Sequence, residues 1–72
     1  MDSDEAVVTL TGDLIAEMAR VRDQVMPAYI RMGAPAALAF MQQDLDMAAR
    51  ALAELDALAC LFLLHKLKGY SL

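Results

Sequence analysis

Apolar residues recur through this 72-residue chain at intervals of three and four, the spacing of one face of an α-helix. Two long stretches carry the pattern, and Gly33-Ala34-Pro35 is the only firm boundary between them. A chain of this length forms one domain at most. The pattern therefore predicts an all-α fold, either an antiparallel helical hairpin or a three-helix chain.

The first stretch predicts one long helix, which Gly33 ends. We expect a firm helix over residues 11–33. Residues 1–10 form either an acidic N-terminal arm or a helical extension, because the β-branched residues 7–9 disfavour a helix. Pro27 removes a backbone donor inside the pattern, so it should kink or split the helix. The apolar positions are Val7, Leu10, Leu14, Met18, Val21, Val25, Tyr29 and Met32.

The second stretch predicts a helix over residues 35–54, because proline is favoured at the first helical position. Residues 56–68 either continue this helix or form a third one capped by Asp56. Leucine at position 55 is poorly suited to the left-handed backbone of a turn, and the two alternatives stay open. The heptad-like seam comprises Leu38, Met41, Leu45, Ala48, Leu52, Leu55, Ala59 and Phe62.

The chain is too apolar for its size. Hydrophobic residues make up 60% of it, against about 45–50% in ordinary domains, and so short a chain has little interior to hide them. Residues 57–64 are apolar on every side, and a single cysteine allows no internal disulfide. We expect a homodimer that assembles as a helical bundle. The alternative is a three-helix monomer in which residues 57–68 fold back over the first helix.

The dimer hypothesis names eight candidate interface residues on the apolar seams. Seven of them belong to the second stretch, where the apolar surplus is greatest. The candidate interface residues are Leu58, Leu61, Phe62, Leu64, Leu67, Met18, Met41 and Leu45.

Charge and hydropathy narrow the class of partner. The net charge of −4 disfavours nucleic acid, whose phosphates need a basic face. The apolar run over residues 57–64 is shorter than the about 20 residues that a membrane span needs. The acidic N-terminus lacks the basic region of a secretory signal. We therefore expect a cytoplasmic protein with no nucleic-acid partner and no membrane insertion.

Reactive side chains are few. Cys60 lies in an apolar segment, where burial makes a thiol inert, and His65 is expected at the surface near a helix end. One cysteine and one histidine cannot supply a tetrahedral zinc site. Asp44 and Asp46 should point in different directions on a solvated helix face, which excludes a carboxylate dyad.

No phosphate-binding loop, nucleophile motif or metalloprotease motif is present, so the sequence predicts no enzyme and no cofactor. The first hypothesis is a protein–protein interaction or assembly protein, with regulation or inhibition of another macromolecule as candidate roles. One alternative is a bundle that holds an apolar small molecule between Met18, Met41, Leu45 and Phe62. Another is a phage-type accessory protein of unknown role.

Overall fold

A computed structural model describes residues 3–71 of the chain as helices joined by short turns. Helix α1 spans Ser3–Arg20, a π-helical segment spans Val21–Val25, and helix α2 spans Met26–Met32. The backbone stays in the right-handed helical region at both junctions, so the three segments form one continuous helical rod.

Helix α1 begins well before residue 11, where the sequence predicts the firm helix. Two threonines of this segment bond their hydroxyls to carbonyls of the preceding turn, so the side chains are accommodated within the helix. Thr9 Oγ1 donates to the Glu5 carbonyl at 3.0 Å, and Thr11 Oγ1 donates to the Val8 carbonyl at 3.1 Å. From Ser3 onward the N-terminal segment is thus a helical extension; residues 1 and 2 lie outside the described residues.

The irregularity expected at Pro27 takes the form of the π-helical segment that precedes it. The Met26 N–H donates to the Val21 carbonyl, five residues back, instead of four. Proline has no N–H, and its ring crowds the carbonyl four residues earlier in a regular α-helix. A π turn inserts one extra residue and widens the helix at this place, which lets the rod pass Pro27 without splitting.

Two more helices complete the fold. Helix α3 spans Pro35–Glu54 and packs against α2 and α1, and helix α4 spans Ala57–Lys68 and packs against both α1 and α3. The all-α prediction is confirmed, in its three-helix form. The buried core draws on all three long elements and the π-helical segment. It consists of Leu14, Val21, Val25, Met41, Leu45, Ala48, Ala51, Cys60, Leu63, Leu64 and Leu67.

The turn between α3 and α4 holds Leu55 in the left-handed conformation, at φ 52°. The Leu55 N–H donates to the Leu52 carbonyl at 3.2 Å, and the Asp56 N–H donates to the Ala51 carbonyl at 3.0 Å. These two bonds form a Schellman motif, and the same motif ends α2 at Gly33. Of the two alternatives that the sequence left open, the structure has the break.

Asp56 begins the last helix as its N-cap. Its carboxylate accepts a hydrogen bond from the Ala59 N–H at 3.1 Å, which satisfies one of the backbone donors that a helix start leaves unpaired. The break also changes the predicted seam. Leu55 and Phe62, which the heptad pattern assigns to the buried side, are exposed, because the left-handed residue interrupts the helical register between α3 and α4.

The fold is elongated, at 44 × 18 × 15 Å. Helix α4 has only 12 residues, so it is about 18 Å long and lies along part of the rod. Its C-terminal end lies beside Arg20 and Asp44, to which it is hydrogen-bonded. Past these two residues, α4 no longer covers the rod; there α2 packs against the start of α3, and α2 contributes no fully buried residue. The core is therefore concentrated in the half of the molecule that α4 covers.

Replacing Leu55 with glycine should stabilise the fold. A left-handed leucine costs about 1–2 kcal/mol that glycine does not, and the Leu55 side chain, 73% exposed, has little packing to lose. After the entropic cost of glycine, we expect Leu55→Gly to raise the free energy of unfolding by about 1 kcal/mol and Tm by about 4–8 °C. Thermal and urea unfolding followed by circular dichroism measure both. Leu55→Ala is the control, because it removes the side chain and keeps the strained Cβ; an equal gain in both variants would contradict this account.

Candidate functional site

The carboxylate of Asp44 is buried in the core, with 2% of the residue exposed. The expectation that it lies on a solvated face is wrong. Tyr70 donates its hydroxyl to Asp44 Oδ2 at 2.5 Å, and Lys66 donates from Nζ to Asp44 Oδ1 at 3.0 Å. Both carboxylate oxygens thus have a partner, which a buried charge requires. These three residues are called the Asp44 cluster below.

The helical position of Asp44 explains its burial. Asp44 comes three residues after Met41 and four before Ala48, both of which are buried, so the three side chains share one side of α3. Asp46 is two residues further on and exposed, where it accepts a hydrogen bond from Gln42. The spacing of Asp44 from its apolar neighbours was therefore visible in the sequence as a signal of burial.

The C-terminal segment is fastened to the helical rod as well as to α3. Arg20 donates from Nη2 to the carbonyls of Leu67 and Tyr70, at 2.9 Å each, and so joins the last turn of α4 and the residues after it to α1. The Tyr29 hydroxyl donates to the Ser71 carbonyl at 3.1 Å. The residues after α4 are thus bound by side chains of α1, α2 and α3; Leu72 lies outside the described residues.

The electrostatics of the Asp44 cluster favour a structural role. Burial, together with the hydrogen bond to the Asp44 carboxylate and its negative charge, raises the pKa of Tyr70 to about 12. A tyrosine that acts as a base or nucleophile near neutral pH needs its pKa lowered instead. Tyr70 keeps its proton and uses it as a hydrogen-bond donor. The cluster therefore fixes the end of α4 against α3.

The other reactive side chains are placed as follows. Cys60 is buried, and desolvation, followed by the nearby charge of Asp56, raises the pKa of its thiol, which keeps it protonated and unreactive. His65 is exposed on α4. Within residues 3–71, His, Cys, Asp and Glu side chains do not gather in a group of three that could hold a metal ion.

The eight candidate interface residues divide into two sets. Helix α4 turns one of its apolar faces into the core and leaves the other outside. The set within the chain's own core comprises Leu64, Leu67, Met41 and Leu45, with Met18 half-buried against it. The exposed set comprises Leu58, Leu61 and Phe62, which are 81%, 44% and 59% exposed.

The exposed set forms one stripe, called the outer face of α4 below. Leu61 and Phe62 follow Leu58 by three and four residues, so the three side chains lie on one side of the helix. His65 follows Leu61 by four residues and continues the same row. Lys66 lies beside the stripe, and its Nζ atom is 5.9 Å from the centre of the Phe62 ring. The lysine side chain therefore lies next to the aromatic part of this face. This row is what α4 presents to any molecule that approaches the helix from outside.

The four residues proposed to hold an apolar ligand do not line a common space. Met41 and Leu45 are packed into the core, whereas Phe62 lies on the outer face of α4. One depression on the described surface, about 620 Å³, runs along a single helix between Ala39 and Arg50 and is open to solvent. A smaller one, about 210 Å³, lies between α3 and α4. Sites that bury small molecules are concave and enclosed by several elements.

No protein-family model, curated protein or solved structure matches this chain. Among the helices of residues 3–71, none combines the length and the apolar character that crossing a membrane requires.

Replacing Asp44 with asparagine should weaken the attachment of α4. The amide keeps the shape of the carboxylate but loses the charge that attracts Lys66 and the stronger acceptor for Tyr70. We expect Asp44→Asn to lower the free energy of unfolding by about 1–3 kcal/mol in urea titrations. Asp46→Asn is the matched control on the exposed side of α3, with an expected change within about 0.5 kcal/mol. Equal effects of the two substitutions would show that burial of Asp44 contributes nothing.

The raised pKa of Tyr70 predicts a specific loss of stability in alkali. The folded protein holds the phenolic proton more tightly than the unfolded chain, so this contribution is complete below pH 10 and disappears as the pH rises from 10 towards 12. The free energy of unfolding, measured across that range, should therefore fall more steeply for the wild type than for Tyr70→Phe. Parallel curves for the two proteins would contradict the assignment. Contributions from groups that both proteins share cancel in the comparison.

Proposed function

We propose that this protein is a non-catalytic assembly protein that works by binding a protein surface through the outer face of α4, and that its first partner is a second copy of itself. The observation that carries the proposal is the exposure of Leu58, Leu61 and Phe62 on a helix whose opposite face is core. An amphipathic helix of a soluble domain normally turns its apolar stripe inwards and a polar stripe outwards.

Burial of this face against a partner supplies a driving force. A leucine or phenylalanine side chain that goes from full exposure to full burial stabilises by about 1.5–3 kcal/mol. In a two-fold dimer each side chain contributes twice, because the same patch serves both copies. The face is on one short helix, so we expect a reversible dimer. Another protein with an apolar helical face could occupy the same surface, which is how a regulator or inhibitor would act.

The polar side chains support the non-catalytic part of the proposal. Asp44 and Tyr70 are bonded to each other, Arg20 is bonded to backbone carbonyls, and Cys60 is buried in the core. A catalytic group must instead reach a bound substrate with a suitable pKa. Each of these groups already has a structural task in the described part of the chain.

The proposal is tested by replacing Leu61 with aspartate. Leu61 is partly exposed, so the carboxylate can stay hydrated and the chain should fold, while a desolvated charge would oppose association. In sedimentation velocity from low micromolar to submillimolar concentration, we expect the wild type to dimerise and Leu61→Asp to remain monomeric. The helical circular dichroism spectrum should be retained. Ile30→Asp is the matched control, an equal change at an exposed apolar residue of α2.

Two results would contradict the proposal. A wild-type protein that stays monomeric over the whole concentration range would exclude self-association through any face. A dimer that Ile30→Asp disrupts and Leu61→Asp leaves intact would place the interface on α2 instead of on α4.

A further inference from the structure

We infer that the two copies pair through antiparallel α4 helices, with Leu61 and Phe62 next to the two-fold axis. This inference rests on the proposed function and specifies the partner and its orientation. It comes from the distribution of charge along α4, which makes the outer face complementary to itself in one orientation only.

The two ends of α4 carry opposite charge. Glu54 and Asp56 precede its start, and Lys66 and Lys68 lie in its last turn. Leu61 lies midway between these pairs in the sequence. In an antiparallel pair centred there, the acidic end of each helix meets the basic end of the other. In a parallel pair, like charges would meet at both ends, and the helix dipoles would also be aligned unfavourably.

Some of these charges already have partners inside the chain. Glu54 Oε1 lies 3.6 Å from Arg50 Nε, and Lys66 Nζ forms an ion pair with the Asp44 carboxylate. Asp56 and Lys68 form no ion pair within residues 3–71, so they leave one negative charge at the start of the helix and one positive charge at its end. Asp56 accepts the backbone bond that caps α4, which does not cancel its charge. Exposed pairs of this kind are weak, and they set the orientation more than the strength of binding.

The apolar row is symmetric about nearly the same point of α4 as the charges. Leu58 and His65 lie at equal distances, in sequence, from the midpoint between Leu61 and Phe62. In the antiparallel pair, Leu58 of one copy therefore faces position 65 of the other, and Leu61 faces position 62. The aromatic ring and the leucines meet at the centre, while the charged ends lie at the rim, as in a protein interface with an apolar core.

Disulfide trapping distinguishes the two orientations. Leu58→Cys and His65→Cys are prepared separately in the full chain, in which Cys60 is buried. In an antiparallel dimer, an equimolar mixture should form the mixed disulfide under mild oxidation, and each variant alone should form little. Positions 58 and 65 are about 10 Å apart along a helix, which is beyond the span of a disulfide. Ile30→Cys, on α2, is the control for random collision.

Charge reversal provides an independent measurement. Lys68→Glu and Glu54→Lys should each raise the dimer Kd by about three- to tenfold, because each reversal creates two like-charge pairs in an antiparallel dimer. The double variant Glu54→Lys with Lys68→Glu exchanges the charges of the two ends and should restore the Kd to within about twofold of the wild type. Arg31→Glu, on α2 and far from α4 in sequence, serves as the single-reversal control.

The outcomes separate this inference from the proposed function. If the wild type dimerises but Leu58→Cys and His65→Cys each form disulfides alone, the helices are parallel and this inference is wrong, while assembly through α4 stands. If the dimer persists and neither the mixture nor the single variants cross-link above the Ile30→Cys control, the pairing does not use this row. A wild-type protein without any dimer would remove the proposed function and this inference together.

Discussion

The left-handed turn at Leu55 is the constraint on which the rest of the structure depends. One residue with positive φ ends α3, reverses the chain and lets α4 pack against both α1 and α3. If the helix continued without a break, residues 56–68 would run on along the axis of α3 and would not fold back to pack against it. The strain at Leu55 is about 1–2 kcal/mol, and the burial of Cys60, Leu63, Leu64 and Leu67 offsets it.

The same turn explains why the sequence predicted much of the fold but left the arrangement of α4 as one of two alternatives. The spacing of apolar residues and the signals at Gly33 and Pro35 are local, and they were sufficient to predict the helices and the first boundary. At Leu55 local preference argues against a turn, and tertiary packing overrides it. Which face of α4 is buried follows from that break. The sequence could therefore identify an apolar surplus in residues 57–64 without showing that Leu58, Leu61 and Phe62 are the exposed part.

The Asp44 cluster shows a second limit of local reasoning. Lys66 and Tyr70 follow Asp44 by 22 and 26 positions, and nothing in the spacing of one helix predicts that they meet there. Only the burial of Asp44 had a sequence signal, from the apolar neighbours on its side of α3. A buried carboxylate with two specific donors favours one position of α4 along α3, because a shift by a turn would leave the charge unpaired. The cluster thus fixes the position of α4 along α3, which contacts between apolar side chains alone specify less strictly.

Several polar groups of this chain are turned inwards, whereas an apolar row of α4 is exposed. The carboxylate of Asp44, the hydroxyl of Tyr70 and the guanidinium of Arg20 are directed at other groups of the chain and hold the fold together. The outer face of α4 instead presents leucine and phenylalanine to the surroundings. Such side chains gain free energy from losing contact with water and perform no bond chemistry. This organisation supports our proposal that the outer face of α4 binds a protein, and the opposite charges at the two ends of α4 support the proposal that the partner is a second copy.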